Sequence, residues 1–293
     1  MDALLKINPA DNVAVALRPL HAGEILPADG KELTLTTDVP AGHKVALRDL
    51  EPGEEVIKYG FPIGRTTAAI PLGSHVHTHN LRTQLGGEQS YAYHPRACGI
   101  AAQPPETFPG YLRENGAVGV RNELWILPTV GCVSDVAKAL ERKAQCLTGG
   151  GVEGVYAFSH PYGCSQMGED QENTRAILAD LACHPNAGGV LVLGLGCENS
   201  GVEEIQKRIP KEYERRIRYL VCQQADDEIE AGMKLLNELA DGMRGEKRTA
   251  CSVSKLVIGL KCGGSDGFSG ITANPVIGGF ADLLTAQGGS VIL

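Results

Sequence analysis

No apolar run in this 293-residue chain is longer than a strand, whereas a membrane-spanning helix needs about 20 such residues. The sequence therefore predicts no membrane span. The first residues, Met1 to Lys6, lack the basic start and apolar core of a secretory signal, which predicts a cytoplasmic protein. Positive charge is also short: 27 Lys and Arg face 35 Asp and Glu, a net charge of −8. A nucleic-acid surface needs clustered Lys and Arg, so a nucleic-acid partner is not expected. Paired Cys-x-x-Cys knuckles are absent, which argues against a structural zinc–thiolate protein.

What is present is an ordinary globular composition, 43% hydrophobic and 21% charged, long enough for more than one domain. Nine cysteines in a reducing compartment point to ligands, catalysts or small core residues rather than disulfides. Four of them follow apolar runs and sit beside glycine: Gly131-Cys132, Gly163-Cys164, Gly196-Cys197 and Cys262-Gly263. The runs before them, Leu124 to Val130, Gly154 to Phe158, Gly189 to Leu195 and Leu256 to Leu260, read as buried strands. In an open α/β sheet ligands gather beyond the carboxyl ends of the strands, so these thiols are candidate site residues. Cys146, Cys183, Cys222 and Cys251 lack such loops and read as small packing residues.

The texture of the chain divides it in three. Residues 1–82 hold short β-rich runs separated by turn signals and predict a small all-β domain. Residues 83–115 are aperiodic and proline-containing, a linker or arm. Residues 116–293 alternate strands with helices over Ser134 to Cys146, Glu169 to Cys183 and Asp226 to Met243. That alternation predicts an α/β domain with a mostly parallel sheet, and Ser134 is the expected cap of its first helix. The closing Gly289-Ser-Val-Ile-Leu293 reads as a strand, which suggests a domain lacking its C-terminal part.

Three motifs carry chemistry. His75-Val-His-Thr-His79 puts alternate imidazoles on one face if extended, a donor set for zinc, iron, nickel or copper. His160-Pro-Tyr-Gly-Cys164 joins an imidazole and a thiol in one loop, suited to metal binding or to activation of the thiol by a neighbouring base. The loop from Cys262 to Pro275 offers free backbone amides with Ser265, Asp266, Ser269, Thr272 and Asn274, a set suited to a carboxylate or polyol. It lacks the Lys-Ser/Thr ending and glycine spacing of nucleotide loops. Lys44, Lys58, Arg121 beside Asn122, and Lys261 are candidate anion partners, Arg121 foremost because a guanidinium binds a carboxylate in two places.

At these residues the sequence resembles the altronate/galactarate dehydratase family. The likeness runs through Asp11-Asn-Val-Ala14, Gly42-His-Lys44, Lys58-Tyr-Gly60, the His75 to Asn80 segment and Gly119-Val-Arg-Asn122. It continues through Leu127 to Cys132, His160 to Cys164, Gly194 to Glu198 and the Cys262 loop. The resemblance implies an N-terminal β-clip of the SAF type, a hydro-lyase acting on a sugar acid such as D-altronate, and dependence on Fe2+ or Mn2+. On that basis the metal is expected on His75 and His77 with Cys132, Cys164 or Cys197. His160 and Lys44 are the expected catalytic groups, and Arg121, Asn122 and the Cys262 loop are expected to hold the substrate. Family members continue past this chain's end. A lyase acting on galactarate or a sulfonated hydroxy acid, and a non-catalytic binding fragment, are the alternatives; a homo-oligomeric state is left open.

Overall fold

The computed structural model describes residues 3–84, 92, 94, 99–101, 104–261 and 267–293. The chain divides into two compact units, Met1–Ala101 with Gly259–Leu283 and Leu293, and Ala102–Ile258 with Leu284–Ile292.

The first unit is built of short antiparallel strands: β1 (Leu4–Leu5), β2 (Val13–Ala16), β3 (Ile25–Ala28), β4 (Lys31–Thr34), β5 (Lys44–Ala46), β6 (Glu55–Lys58), β7 (Phe61–Thr66), β8 (His75–Val76) and β9 (Leu81–Arg82). They form sheets in the orders β1-β2-β5-β8 and β6-β7-β9 and a β3-β4 hairpin. Strands this short hold because every turn drops a large aliphatic side chain inward. Leu20, Leu35, Leu50 and Ile70 are almost fully buried in two small cores. Asp11 and Asn12 are buried polar residues with every oxygen engaged. Asp11 accepts from the Asn8 and Gly60 amides, and Asn12 bridges the backbone of Glu55 and Ile57. Buried polar groups without such partners would cost stability.

The second unit contains β10 (Thr107–Leu112), β11 (Val118–Gly119), β12 (Glu123–Pro128), α1 (Ser134–Ala144), β13 (Val155–Ala157), α2 (Gly168–Cys183), β14 (Ala187–Gly194), α3 (Val202–Gln206), β15 (Ile217–Val221), α4 (Glu228–Met243) and β16 (Thr249–Ser252). Its centre is the parallel sheet β13-β12-β14-β15. Both faces are covered, so the strands are apolar at successive positions rather than at alternate ones. Leu124, Ile126, Leu191 and Leu193 pack in a core with residues of α1 and α4. Trp125, Leu127, Val190 and Val192 pack on the other face with residues of α2 and α3. Asp227 caps α4, its carboxylate accepting from the amides of Ile229 and Glu230, as the acidic start of that helix suggests. The remaining elements are β17 (Val257–Gly259), α5 (Ala273–Ala286) and β18 (Ser290–Ile292), with β17 and β18 paired.

Four expectations are corrected. Residues Thr107–Leu112, read as part of an arm, form a strand that pairs with β11 and β16. Residues 259–283, read as part of the α/β domain, group with the N-terminal unit. The run before Cys262 pairs with β18 and stands outside the parallel sheet, whose fourth strand is β15. Ser134 does not cap α1; its hydroxyl donates to the His160 carbonyl at 3.3 Å. No helix among the described residues is long and apolar enough to cross a membrane.

Asn122 is fully buried, its Oδ1 accepting from Arg113 and its Nδ2 donating to the Gly151 carbonyl. Asn122→Ala removes both hydrogen bonds from a fully buried position and is expected to destabilise the second unit by about 1–3 kcal/mol. Leu191→Ala, at the centre of the sheet, is expected to cost about 2–5 kcal/mol. Urea titration followed by the fluorescence of Trp125, the single tryptophan, reads both directly in this unit.

Candidate active site

In the first unit the pairing of β5 with β8 sets Lys44 opposite Val76 and Val45 opposite His75. That register carries His43 to the far end of the same ladder, beside the residues that follow β8. Four imidazoles therefore gather: His43 lies 5.1 Å from His75 and 4.7 Å from His77, and His75 lies 5.2 Å from His79, centroid to centroid. His43 Nδ1 and His75 Nε2 are 2.9 Å apart, a hydrogen bond when one carries the proton. Asn80 fixes the turn, accepting from the His77 amide and donating to the His75 carbonyl. The strand itself stops at Val76, so a turn rather than an extended segment brings the histidines together. Burial first, then the charges of His43, His79, His77 and Lys44, push the His75 pKa down to about 4. The ring is neutral at pH 7, and a neutral imidazole is the ligand form.

Beside this cluster lies an open cavity of about 750 Å³, lined by His43, Lys44, Lys58, Tyr59, His77 and, from the same unit, Gly267, Ser269, Gly270, Asn274 and Pro275. Two close backbone approaches shape it. A Cβ on Gly42 would come within 3.1 Å of Gly267, and one on Gly270 would fall 2.0 Å from the Tyr59 hydroxyl. Tyr59 adopts a left-handed φ of 64°, and the turn it occupies is tied down by the Gly60 amide donating to Asp11. Strain of this kind is kept where the surroundings over-determine it. Lys58 is buried with its ammonium 4.5 Å from the centre of the Tyr59 ring. Burial, followed by the neighbouring Lys58 charge, lowers the Lys44 pKa, which favours the neutral amine.

Of the expected site residues, Lys44, His77, Ser269 and Asn274 line this cavity, and His75 joins it through His43. Thr272 does not: its hydroxyl turns back to the Phe268 carbonyl. Ser265, Asp266 and Cys262 lie outside the described residues. His43 was not singled out from the sequence, although it stands between Gly42 and Lys44; only the strand register reveals it.

The other expected residues belong to the second unit. Cys132, Cys164 and Cys197 follow β12, β13 and β14 and are exposed at the carboxyl edge of the sheet. The mixed histidine–cysteine ligand set thus divides between the units. Cys222 follows β15, half-buried, and burial pushes its thiol up to about 11. His160 is not a free base. A carbonyl only accepts, so its Nε2 donates to the Pro128 oxygen at 2.8 Å, and its Nδ1 accepts from the Tyr162 amide. Arg121 and Asn122 precede β12 and so lie at the opposite, amino edge. Arg121 pairs with Glu123 and Glu153, and Asn122 is a buried brace. The Arg121 side chain is half-exposed beside its two carboxylates, whereas Asn122 is fully buried. The amino edge also carries a cavity lined by Arg113 and Arg216. Arg216 donates to the carbonyls of Ala187, Cys183 and His184, and Arg113 to Pro185, Arg121, Asn122 and Glu246.

A divalent metal fits the first unit by donor type, since neutral imidazoles suit iron(II). The geometry brings two ring nitrogens together, and among the described residues no three His, Cys, Asp or Glu side chains meet around a single ion.

Comparison with known sequences finds three family domains in order along the chain. The Altronate/galactarate dehydratase SAF domain matches residues 2–84. The D-galactarate dehydratase/Altronate hydrolase second domain matches residues 110–244, and the D-galactarate/Altronate dehydratase C-terminal domain matches residues 253–293. The chain is 49% identical to altronate dehydratase of Escherichia coli (strain K12) over 99% of its own length and 59% of the relative's. It is 47% identical to altronate dehydratase of Bacillus subtilis (strain 168), covering all of this chain and 60% of that protein. Galactarate dehydratase (L-threo-forming) of Escherichia coli (strain K12) is 33% identical over 98% of this chain and 58% of its own. The chain therefore spans about three-fifths of the length of the curated relatives it matches. With three family domains in order along it and relatives matching it from end to end, the chain belongs to the altronate/galactarate dehydratase family.

Proposed function

We propose that the protein is a metal-dependent hydro-lyase that converts a sugar acid, D-altronate, into 2-dehydro-3-deoxy-D-gluconate and water. The observation that carries this reading is the cavity of the first unit, where two lysines, two imidazoles and a phenol meet hydroxyl and amide side chains. In an acidic protein such a cavity is a local basic pocket, suited to an anion of modest size.

The reaction needs a base at C2, a proton for the departing C3 hydroxyl and a counter-charge for the carboxylate. Lys44, with its pKa lowered, takes the C2 proton. The electron pair of that C–H bond becomes the C2–C3 double bond as the C3–O bond breaks. Tyr59 protonates the leaving hydroxyl, which departs as water, and the enol becomes the ketone when a proton is placed on C3. Lys58 pairs with the carboxylate, while Ser269 and Asn274 hold the hydroxyl groups. Iron(II) or manganese, when bound, would find imidazole donors in His75 and His77 and would supply Lewis-acid stabilisation of the charge that develops on oxygen. The electrostatic contribution is large only if these groups are in place before the reaction, and Asp11, Asn12 and Asn80 provide that order.

Anaerobic turnover of D-altronate, with and without added iron(II) or manganese and beside a galactarate control, tests the reading. Metal-dependent formation of a 2-keto-3-deoxy acid from altronate is expected. If no acid is turned over even by a chain extended to the length of the relatives, the reading fails.

Lys44→Met is expected to lower kcat by about 10²-fold or more, the worth of a positioned base, with little change in KM. Lys58→Met acts mainly on KM. In the wild type kcat/KM rises with pH as Lys44 loses its proton, with a midpoint below the ordinary lysine value; the rise disappears in Lys44→Met.

A further inference from the structure

The cavity at the amino edge of the parallel sheet has no part in the chemistry above. It holds about 300 Å³, and every residue that lines it belongs to the second unit. That volume suits a small ligand. Arg113 reaches it from just beyond β10, Tyr213 and Arg216 from the turn Lys211–Arg216, and Leu239 and Gly242 from α4.

Four arginines and four glutamates line it, so the wall as a whole is neutral, but the charges are sorted by depth. Arg215 pairs with Glu114 and Arg218 with Glu238 at the mouth, where the carboxylates are 72% and 44% exposed. The Arg113 side chain is only 10% exposed and has the half-exposed Glu246 as its counter-charge. Arg216, half-buried, has no carboxylate within ion-pair distance among the described residues. Its Nη1 donates to the Ala187 carbonyl and its Nη2 to those of Cys183 and His184, which leaves the Nε–H unused. Neutral carbonyls occupy donors without cancelling charge. The inner end therefore sets two guanidiniums against one carboxylate, and a buried cation without a counter-ion is costly. Burial first, and then the Arg113 charge, lower the Arg216 pKa. The Tyr213 ring lies 4.9 Å from that guanidinium. Its hydroxyl accepts from Asn115 at 2.6 Å, so its own proton remains to be donated. Gly242 points to a space kept open. In the same helix Gly232 is required, because a Cβ there would meet Leu140 at 2.7 Å, whereas a Cβ at Gly242 would meet nothing within 4 Å. Alanine is the better helix former, so packing within α4 does not account for a glycine at the cavity wall.

We propose that this cavity binds a small monocarboxylate bearing several hydroxyl groups, its carboxylate beside Arg216 and its hydroxyls toward the carboxylates of the mouth. The ligand carboxylate supplies the missing counter-charge and accepts from the Arg216 Nε–H and the Tyr213 hydroxyl; hydrogen bonds between charged partners are the stronger kind. Its hydroxyls donate to Glu238 and to Glu212, an exposed residue of the lining. The buried Leu239 side chain gives the carbon chain an apolar wall. A second anionic group would face the glutamates, which disfavours a dicarboxylate or a phosphate dianion. The site stands on the second unit alone and does not rest on the proposed dehydration.

The test is calorimetric titration of the 293-residue chain carrying Lys58→Met, treated with a chelator, so that the cavity of the first unit is disabled and no turnover occurs. The probes are D-altronate, galactarate and inorganic phosphate. One D-altronate per chain is expected to bind, with galactarate and phosphate at least about tenfold weaker, the effect of setting like charges together. Added to this background, Gly242→Ala keeps the binding and Gly242→Phe, which fills the cavity, loses it. Glu212→Gln, a change at an exposed side chain, narrows the gap between altronate and galactarate. In a second measurement, D-altronate is expected to raise the urea midpoint read by Trp125 fluorescence in the Lys58→Met chain but not in Lys58→Met/Gly242→Phe. The ligand-free midpoints of the two chains separate a blocked cavity from lost folding. Absence of altronate binding in the Lys58→Met chain, equal binding by a folded Gly242→Phe chain, or binding of galactarate or phosphate as tight as altronate overturns the proposal. Turnover by the wild type without this binding sinks the proposal alone, whereas binding without turnover sinks only the dehydration.

Discussion

Parallel strands cannot be joined by tight turns; each connection must cross a face of the sheet before the next strand begins. In the second unit those crossings bring α1 and α4 to one face and α2 and α3 to the other. Once both faces are occupied, no side chain within β12 or β14 can meet solvent. Chemistry is left with the two edges, and all four strands point the same way. Everything that follows a strand collects at one edge and everything that precedes it at the other. This single constraint separates Cys132, Cys164 and Cys197 from Arg121 and Asn122. It also gives the loops their glycines, because connections at so crowded an edge approach one another backbone to backbone.

The first unit solves a different problem. Its strands are too short to bury much on their own, and its cavity depends on antiparallel register. Pairing Lys44 with Val76 fixes which residues sit at the end of the ladder, and His43 and His77 stack there as a result. A slip of one residue would send these side chains to the opposite face. The same unit places Lys58 close enough for its positive charge to oppose that of Lys44. The protein accepts that cost within a chain of net charge −8, and the outcome is a lysine with a depressed pKa beside one that is buried against a tyrosine ring. Two like groups in unlike surroundings are the usual origin of a base and a counter-ion in one site.

Much was legible in the residues themselves. The composition argued against membrane spans and a nucleic-acid surface; the change of texture separated an all-β region from an α/β region. The continuous apolar runs marked β12 and β14 because strands covered on both faces have no polar side to show. The glycine–cysteine pairs marked the carboxyl edge for a similar reason, since a strand that ends at a crowded edge needs a glycine to turn. His75, His77, Lys44, Ser269 and Asn274 were all visible as polar residues in unusual company.

Local sequence could not show direction or partnership. Arg121 reads as an exposed cation until the parallel order places it at the amino edge beside two carboxylates. His160 reads as a base until its ring is seen closing on Pro128 and Tyr162. His43 reads as an ordinary turn residue, and Thr107–Leu112 as an arm, until strands distant in sequence pair with their neighbours. The sequence by itself determined the strands and helices of the parallel sheet and which residues are chemically capable, because periodicity and side-chain type are local properties. Only the tertiary structure decided which capable residues meet and which are spent on holding the chain together. Register, strand direction and hydrogen-bond saturation arise between segments far apart in the chain, and no single segment encodes them.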